Sequence, residues 1–237
     1  MVGVGDPVPL PSVVLVTATG PGVGLTVTTA ALATVLRHRT ALSVVKLVQT
    51  GAADWEEGDV DRVRVWVKGV DAHEEIRLRL PLPPVIAASR VGISLPKIAD
   101  HVKAVAALTE RAGLVLVEGT SGIMTQLDGR RGTLLDVATA LRYKGSSAGF
   151  VLAARPTEAD LNAAALTREV LRQRGLPFLG VVLTHWPAGR DLDDATRDLL
   201  DEFPDVAGVP VLGRIPDLPG GFEAADFARA RVWLDLE

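Results

Sequence analysis

The chain has 237 residues, of which 48% are hydrophobic and 23% are charged, and its formal net charge is −4. This composition excludes a disordered chain, and the absence of cysteine excludes disulfides, thiolate catalysis and cysteine-ligated zinc. The basic residues are scattered and no apolar run reaches the ~18 residues of a membrane helix, so we expect no nucleic-acid partner, no membrane and a cytoplasmic location.

Short β-branched runs alternate with helical periodicity along the chain. Buried strands are predicted at Ser12–Thr17, Leu42–Val48, Leu114–Val117, Phe150–Ala153, Phe178–Leu183 and Val209–Leu212. Helices are predicted at Thr26–His38, Val60–Lys68, Pro96–Ala112, Thr133–Arg142, Glu158–Arg174, Leu192–Glu202 and Phe222–Leu234. Three prolines interrupt Asp71–Pro84, where we expect an irregular excursion. The alternation predicts an α/β fold, a mostly parallel sheet flanked by helices on both faces, in a single domain over residues 1–237.

A glycine-rich loop follows the first predicted strand and leads into a helix. The residues expected to bind a nucleotide there are Gly20, Pro21, Gly22, Val23, Gly24, Leu25 and Thr26. Glycines let backbone N–H groups approach phosphate oxygens, and the helix N-terminus adds about half a positive charge. The hydroxyl of Thr26 suits Mg²⁺ or a helix cap. By itself the pattern also fits an ordinary turn between a strand and a helix, and leucine stands at position 25 where a lysine is expected.

Two more strand ends carry polar motifs, Lys46–Gly51 (KLVQTG) and Val117–Gly122 (VEGTSG). With the first loop they resemble, in order and in spacing, the motifs G-T-x-x-x-V-G-K-T, K-P-V-x-[ST]-G and V-E-G-A-G-G of dethiobiotin synthetases. The resemblance extends from about Val13 to about Pro219. It implies a P-loop NTPase-like fold and a cyclo-ligase that uses ATP and Mg²⁺ to close a ureido ring on 7,8-diaminopelargonic acid with CO₂, a step of biotin biosynthesis.

The resemblance implies roles for three residues at the substrate. Lys46 and Thr50 would be catalytic and, with Asn162, would bind the substrate, Lys46 lying at the carbamate and the γ-phosphate. The family also implies a homodimer whose substrate site lies near the subunit interface. On the residues themselves, a surface position is favoured over a functional one for Asn162. Glu158 and Asp160 in the same loop would repel a carboxylate substrate unless they turn outward.

The resemblance also implies a metal and nucleotide site. Thr26, Asp59 and Glu118 would supply oxygens to Mg²⁺, which prefers hard oxygen ligands. Glu118 and Thr184 would join the first loop in binding the nucleotide, Thr184 from the segment that flanks the base. Surface or helix-cap roles remain the alternatives for Asp59 and Glu118, and a solvated position for Lys46. Further acids crowd the loop around residue 59, namely Asp54, Glu56, Glu57 and Asp61.

The chain departs from the family motifs at Ala18, Leu25, Leu47, Thr120 and Ser121. Leu25 removes a charged contact to phosphate worth about 1.5–3 kcal/mol. Two hypotheses follow. In one, the chain is a working ligase in which Lys46, Mg²⁺ and either Arg155 or another basic residue supply the positive charge that the loop lysine would bring to the phosphates. In the other, it is a non-catalytic relative that binds a nucleotide, a diamino acid or a partner protein. A partitioning-type ATPase would need a lysine early in the loop, where Thr19 and Gly20 stand.

Overall fold

The computed structural model describes residues 10–187, 194–218 and 220–236. The strands are β1 (Val13–Ala18), β2 (Leu42–Lys46), β3 (Gln49–Thr50), β4 (Asp71–Glu74), β5 (Arg77–Leu78), β6 (Leu114–Glu118), β7 (Ala148–Ala154), β8 (Phe178–Trp186) and β9 (Val211–Pro216). The helices are α1 (Leu25–Leu36), α2 (Asp59–Trp66), α3 (Pro84–Val91), α4 (Ile98–Thr109), α5 (Leu134–Tyr143), α6 (Glu158–Gln173), α7 (Asp194–Ala207), α8 (Ala224–Phe227) and α9 (Ala230–Trp233).

Seven strands form one parallel sheet in the order β4-β2-β6-β1-β7-β8-β9. Strand β1 lies between β6 and β7, so the chain direction across the sheet reverses beside it. Loops that leave parallel strands meet at one edge, and ligands bind there at such reversals. The loop after β1 and the ends of β2 and β6 therefore meet at this edge.

The core lies on both faces of the sheet because successive side chains of a strand point to opposite faces. In β1, Val13 and Leu15 pack with helices α3 to α6, whereas Val14 and Val16 pack with α1, α2 and the C-terminal helices. All six residues of β1 are buried, as a central strand covered on both faces requires. The predicted α/β class, with helices on both faces, is confirmed. That residues 1–237 form a single domain stays a prediction.

The expectation of an irregular excursion over Asp71–Pro84 was wrong for its first residues. Strand β4 pairs in parallel with β2, from Ser43 opposite Asp71 to Lys46 opposite Glu74. Its sequence is polar and only Ala72 is buried, since an edge strand faces solvent along one side. An apolar pattern therefore could not predict it.

Other boundaries also differ from the predictions. The predicted strand Leu42–Val48 ends at Lys46, and the chain continues into β3, which pairs with β5 in a separate two-stranded sheet. Helix α3 was missed, although Pro84 at its first position is favourable there. The predicted closing helix is two short helices, α8 and α9. Residues 192 and 193 of the predicted helix Leu192–Glu202 lie outside the described residues. In the described ranges no helix is long and apolar enough to cross a membrane.

Candidate active site

The glycine-rich loop forms one wall of a cavity of about 320 Å³. Gly24 caps α1 with φ +84, in the left-handed region that favours glycine. A Cβ at Gly24 would lie only 3.2 Å from Thr184. Helix α1 begins at Leu25, so its N-terminal N–H groups border the cavity beside Thr26. This is the arrangement that attracts a phosphate.

Thr184 fastens the loop to strand β8. Its hydroxyl lies 2.6 Å from the carbonyl oxygen of Val23 and 3.2 Å from that of Ala154, and it has one proton to donate. The side chain is 2% exposed. Thr184 borders the cavity, but its hydroxyl is engaged in holding the loop. His185, which follows it at φ +52, is exposed and lines the same cavity.

Lys46 lies at the centre of a buried ionic cluster. Its Nζ is 2.9 Å from Oε1 of Glu118, 2.7 Å from Oδ2 of Asp59 and 2.7 Å from the carbonyl oxygen of Gly119. An ammonium has three protons to donate, and each of these oxygens can accept one. The hydrogen-bonding capacity of Lys46 is therefore filled by the protein itself.

The strand register brings this cluster together. Lys46 and Glu118 lie directly opposite each other on β2 and β6 and are 2% and 1% exposed. Burial acts to lower the pKa of Lys46, but the charges of Glu118 and Asp59 outweigh it and raise the pKa above its ordinary value. The ammonium therefore stays charged at neutral pH. With two carboxylates and one ammonium, the cluster keeps a net negative charge.

Three oxygen-bearing side chains of this cluster have the chemistry that Mg²⁺ selects. Thr26 donates its hydroxyl to Oε1 of Glu118 at 2.9 Å, and Asp59 lies across Lys46 from Glu118. A hydroxyl and two carboxylates are hard donors, and Mg²⁺ commonly takes one or two carboxylates together with substrate phosphates. The described residues contain no group of three acids or histidines arranged to hold a metal. The donor set thus fits a cation that shares its ligands with a nucleotide.

Asp59 is the acid of its crowded loop that reaches the cluster. Its N–H donates to Oε1 of Gln49 at 2.8 Å, which fixes the first residue of α2 against β3. Asp61 instead accepts hydrogen bonds from Arg77, Gly58 and Arg64, and those from Arg77 and the N–H of Gly58 are the main cause of its lowered pKa.

Arg77 holds the segment that carries Asp59, and the sequence analysis missed it. Its guanidinium donates to Glu74, to Asp61 and to the carbonyl oxygens of Ala53 and Glu56. These contacts tie residues 53–61 to β5, and the hydrogen bonds to Glu74 and Asp61 raise the pKa of Arg77 above its ordinary value. Arg77 lies in the segment for which an irregular excursion was expected, and no motif in the sequence marks its ion pairs.

Asp160 faces inward, toward the glycine-rich loop. Its carboxylate accepts hydrogen bonds from Thr19 and Thr157 and pairs with Arg155 at 3.1 Å, and the residue is 2% exposed. The concern that Asp160 would repel a substrate carboxylate does not apply, because its charge is compensated. Arg155, considered above as a cation for the site, is engaged in this pair.

Replacing Asp160 with asparagine should lower the free energy of unfolding by about 2 kcal/mol, within the range for hydrogen bonds to a charged group. Burial acts to raise the pKa of Asp160, but the hydrogen bonds from Thr157 and Thr19 and the charge of Arg155 outweigh it and lower the pKa below 3.8. A lowered pKa stabilises the fold above the ordinary pKa, and this stabilisation is lost as the pH falls through the folded-state value. Urea unfolding at pH 7 and near pH 3 should therefore show a smaller difference between wild type and variant at the lower pH. Asp198→Asn, on the exposed face of α7, is the control, and equal stability of Asp160→Asn and wild type at pH 7 would refute this role.

Two residues predicted at the substrate lie away from the cavity lining. Thr50 is half-buried on β3, and Asn162 is exposed on the first turns of α6. The lining brings together Gly22, Gly24, Leu25, Thr26, Lys46, Asp59 and Thr184 of the predicted residues. The other residues of the lining were not predicted as site residues, namely Val27, Arg62, Trp66, Thr120, His185, Ile215, Pro216, Asp217 and Phe222.

The fold is similar to solved structures of cell-division ATPases. The septum site-determining protein MinD of Pyrococcus horikoshii, complexed with Mg-ADP, has a TM-score of 0.58 at 18% identity, over 96% of this chain and 94% of its own. MinD of Pyrococcus furiosus has a TM-score of 0.57 at 18% identity, over 95% and 96%. At this identity the likeness concerns the fold. The parallel sheet and the glycine-rich loop before α1 define a protein of the P-loop NTPase class.

Sequence relatives identify the family within this class. A family model described as an AAA domain matches residues 12–221. The ATP-dependent dethiobiotin synthetase of Saccharopolyspora erythraea is 43% identical over 207 residues, which is 86% of this chain and 88% of that protein. That of Streptomyces avermitilis is 39% identical over 213 residues, or 88% and 86%. The chain belongs to the family of ATP-dependent dethiobiotin synthetases, and the resemblance found in its motifs is confirmed.

Proposed function

We propose that this chain is an ATP-dependent dethiobiotin synthetase that closes the ureido ring of dethiobiotin from 7,8-diaminopelargonic acid and CO₂. The observation that carries the proposal is the convergence of Lys46, Asp59, Glu118 and Thr26 at the mouth of the glycine-rich loop. Family membership supports the same activity.

The reaction has three steps in which negative charge develops. One amine of the substrate attacks CO₂ and loses a proton to form a carbamate. A carbamate oxygen attacks the γ-phosphorus of ATP, and the bond to ADP breaks. The second amine then attacks the carbamate carbon, which closes the ring and releases phosphate and a proton. Such phosphoryl transfer is catalysed mainly by positioning and by cations aimed at the transferring group.

We assign to Lys46 the stabilisation of this developing negative charge. Its ammonium is buried, charged at neutral pH and fixed by three acceptors, so little reorganisation is needed when negative charge develops beside it. Thr26, Asp59 and Glu118 would hold Mg²⁺, which when bound neutralises phosphate charge. The N-terminus of α1 orients the phosphates through its backbone N–H groups.

The remaining assignments follow the family resemblance. We propose that Thr50 and Asn162 contact the substrate, that the protein is a homodimer and that it is cytoplasmic. Because Asn162 is exposed on α6, outside the cavity lining, its side chain is accessible to a second subunit or to a substrate between subunits.

One observation favours the second candidate function, a non-catalytic nucleotide-binding relative. The lysine of the loop is replaced by Leu25, whose side chain packs on the small apolar cluster of Ala18, Val23 and Ala153. In this position leucine contributes to packing beneath the loop and offers no charge to a phosphate.

A single assay separates the two candidates. The protein is incubated with diaminopelargonic acid, bicarbonate, Mg²⁺ and ATP, and the products are detected by mass spectrometry. We expect dethiobiotin and ADP in equal amounts, with neither formed when diaminopelargonic acid is left out. Binding of ATP without any dethiobiotin would reject the ligase and favour the non-catalytic relative.

A further inference from the structure

The cavity offers little available positive charge to a triphosphate. Leu25 supplies no cation, and the three protons of Lys46 are directed to Glu118, Asp59 and Gly119. The cluster of Lys46, Asp59 and Glu118 has a net negative charge, which disfavours a polyanion beside it. Beyond the charge that Mg²⁺ would supply, any free side-chain donor to the phosphates must therefore come from a residue other than Lys46.

Arg62 lies where such a charge is needed. It is on α2, one turn after Asp59, and it lines the same cavity as Gly22, Leu25 and Thr26. The residue is exposed, and within the described ranges its guanidinium has no hydrogen bond or ion pair. A guanidinium that lines a cavity without a partner can bind a ligand without first breaking a protein contact.

The neighbouring cations are already engaged. Arg64 and Arg77 both donate to Asp61, and Arg155 is paired with Asp160. Of the residues that line the cavity in the described part of the chain, Lys46, Arg62 and His185 are the basic ones. Arginine is charged at every working pH and matches two phosphate oxygens with a planar pair of donors.

The backbone around Arg62 is held in place even though its side chain is unpaired. Asp61, the preceding residue, is fixed by Arg77 and accepts the N–H of Gly58, and Asp59 is fixed by Gln49 and Lys46. Helix α2 is thus anchored on both sides of its first turn. The side chain of Arg62 projects from a rigid position, which lowers the entropy lost when it binds.

We infer that Arg62 binds the phosphates of the nucleotide in place of the missing loop lysine. The cation at the phosphates is then supplied from α2 instead of from the first turn of α1. The inference rests on the proposed function in one respect, that ATP is the ligand. It adds a phosphate-binding residue that none of the sequence motifs contains.

A double-mutant cycle on ATP affinity tests the inference. Calorimetry with ATP and Mg²⁺ is carried out on wild type, Arg62→Ala, Leu25→Lys and the double variant. We expect Arg62→Ala to weaken ATP binding about tenfold or more, the range for a lost charged hydrogen bond. Leu25→Lys should restore most of this loss in the Arg62→Ala background but should gain less than about threefold in wild type, because residues that serve one role are not additive. Arg90→Ala, which removes the same charge from the last turn of α3, outside the cavity lining, is the matched control.

Two results would overturn the inference. The first is unchanged ATP affinity in Arg62→Ala. The second is an ATP affinity that is weakened in Arg62→Ala and is not restored by adding Leu25→Lys. In that case Arg62 would not take the place of the loop lysine. Dethiobiotin formation by wild type, measured in parallel, keeps the proposed function separate. If wild type forms dethiobiotin and Arg62→Ala binds ATP normally, the ligase stands and the role of Arg62 falls. If Arg62→Ala shows the expected loss but wild type forms no product, the phosphate site stands and the ligase falls.

Discussion

Replacing Lys46 with methionine should lower the rate of dethiobiotin formation at least tenfold and the free energy of unfolding by about 3–5 kcal/mol. The stability loss arises because Asp59 and Glu118 would lose the cation that compensates them in a buried site. The rate loss arises because the ammonium assigned to the carbamate and the transferring phosphoryl group would be missing. Turnover and urea unfolding measure the two effects, and Lys103→Met, on the exposed side of α4, is the control.

A second variant separates these two effects. Adding Glu118→Gln to Lys46→Met removes one of the uncompensated carboxylates, so part of the stability should return while the rate stays low. An unchanged rate in Lys46→Met would remove this residue from the mechanism. A rate that recovers together with stability in the double variant would show that Lys46 acts only in the fold.

Glu118→Gln in otherwise wild-type protein should abolish the dependence of ATP affinity on Mg²⁺. Glu118 is buried directly behind Thr26 and Lys46 of the cavity lining and accepts hydrogen bonds from both of them. The amide is nearly isosteric but has no charge for a divalent cation, so turnover should fall at least tenfold. Calorimetry of ATP with and without Mg²⁺ measures the coupling, which we expect to be about tenfold in wild type and less than about twofold in the variant.

The matched control is Glu110→Gln, an exposed residue at the end of α4. It removes the same charge far from the glycine-rich loop and should leave the effect of Mg²⁺ on ATP affinity as in wild type. Equal coupling in wild type and Glu118→Gln would show that the cation binds elsewhere or that none is required.

That Lys46, Glu118 and the glycine-rich loop lie together could be predicted from the sequence, because strand ends of a parallel sheet meet at one edge. Lys46 and Glu118 each end a buried apolar run, and in the structure they face each other across β2 and β6. The glycine-rich loop follows from the same rule, since it leaves the neighbouring strand β1. These parts depend on local composition, which a single sequence contains.

Contacts that depend on long-range placement could not be predicted. Thr19 and Asp160 are 141 residues apart in the chain, and no periodicity relates them. Asp59 could not be distinguished from its acidic neighbours in the sequence. Asp61 forms an ion pair with Arg77, and Arg77 lies on β5, a strand that the apolar pattern does not predict. Arg62 belongs to no motif, and its importance appears only when the filled hydrogen bonds of Lys46 are counted.

The contacts of Arg77 have a consequence for local unfolding. The guanidinium of Arg77 joins Ala53, Glu56 and Asp61 to β5, and Asp59 is held separately by Lys46 and Gln49, so the loss of these few polar contacts can open the segment 53–61 at a free energy below that of global unfolding. Opening would carry Asp59 and the start of α2 away from the cavity, and a bound nucleotide would oppose it by mass action. Amide hydrogen exchange in this segment, rather than in the central strands, should therefore slow when the cavity is occupied. A substitution that makes the segment easier to open should also weaken nucleotide binding.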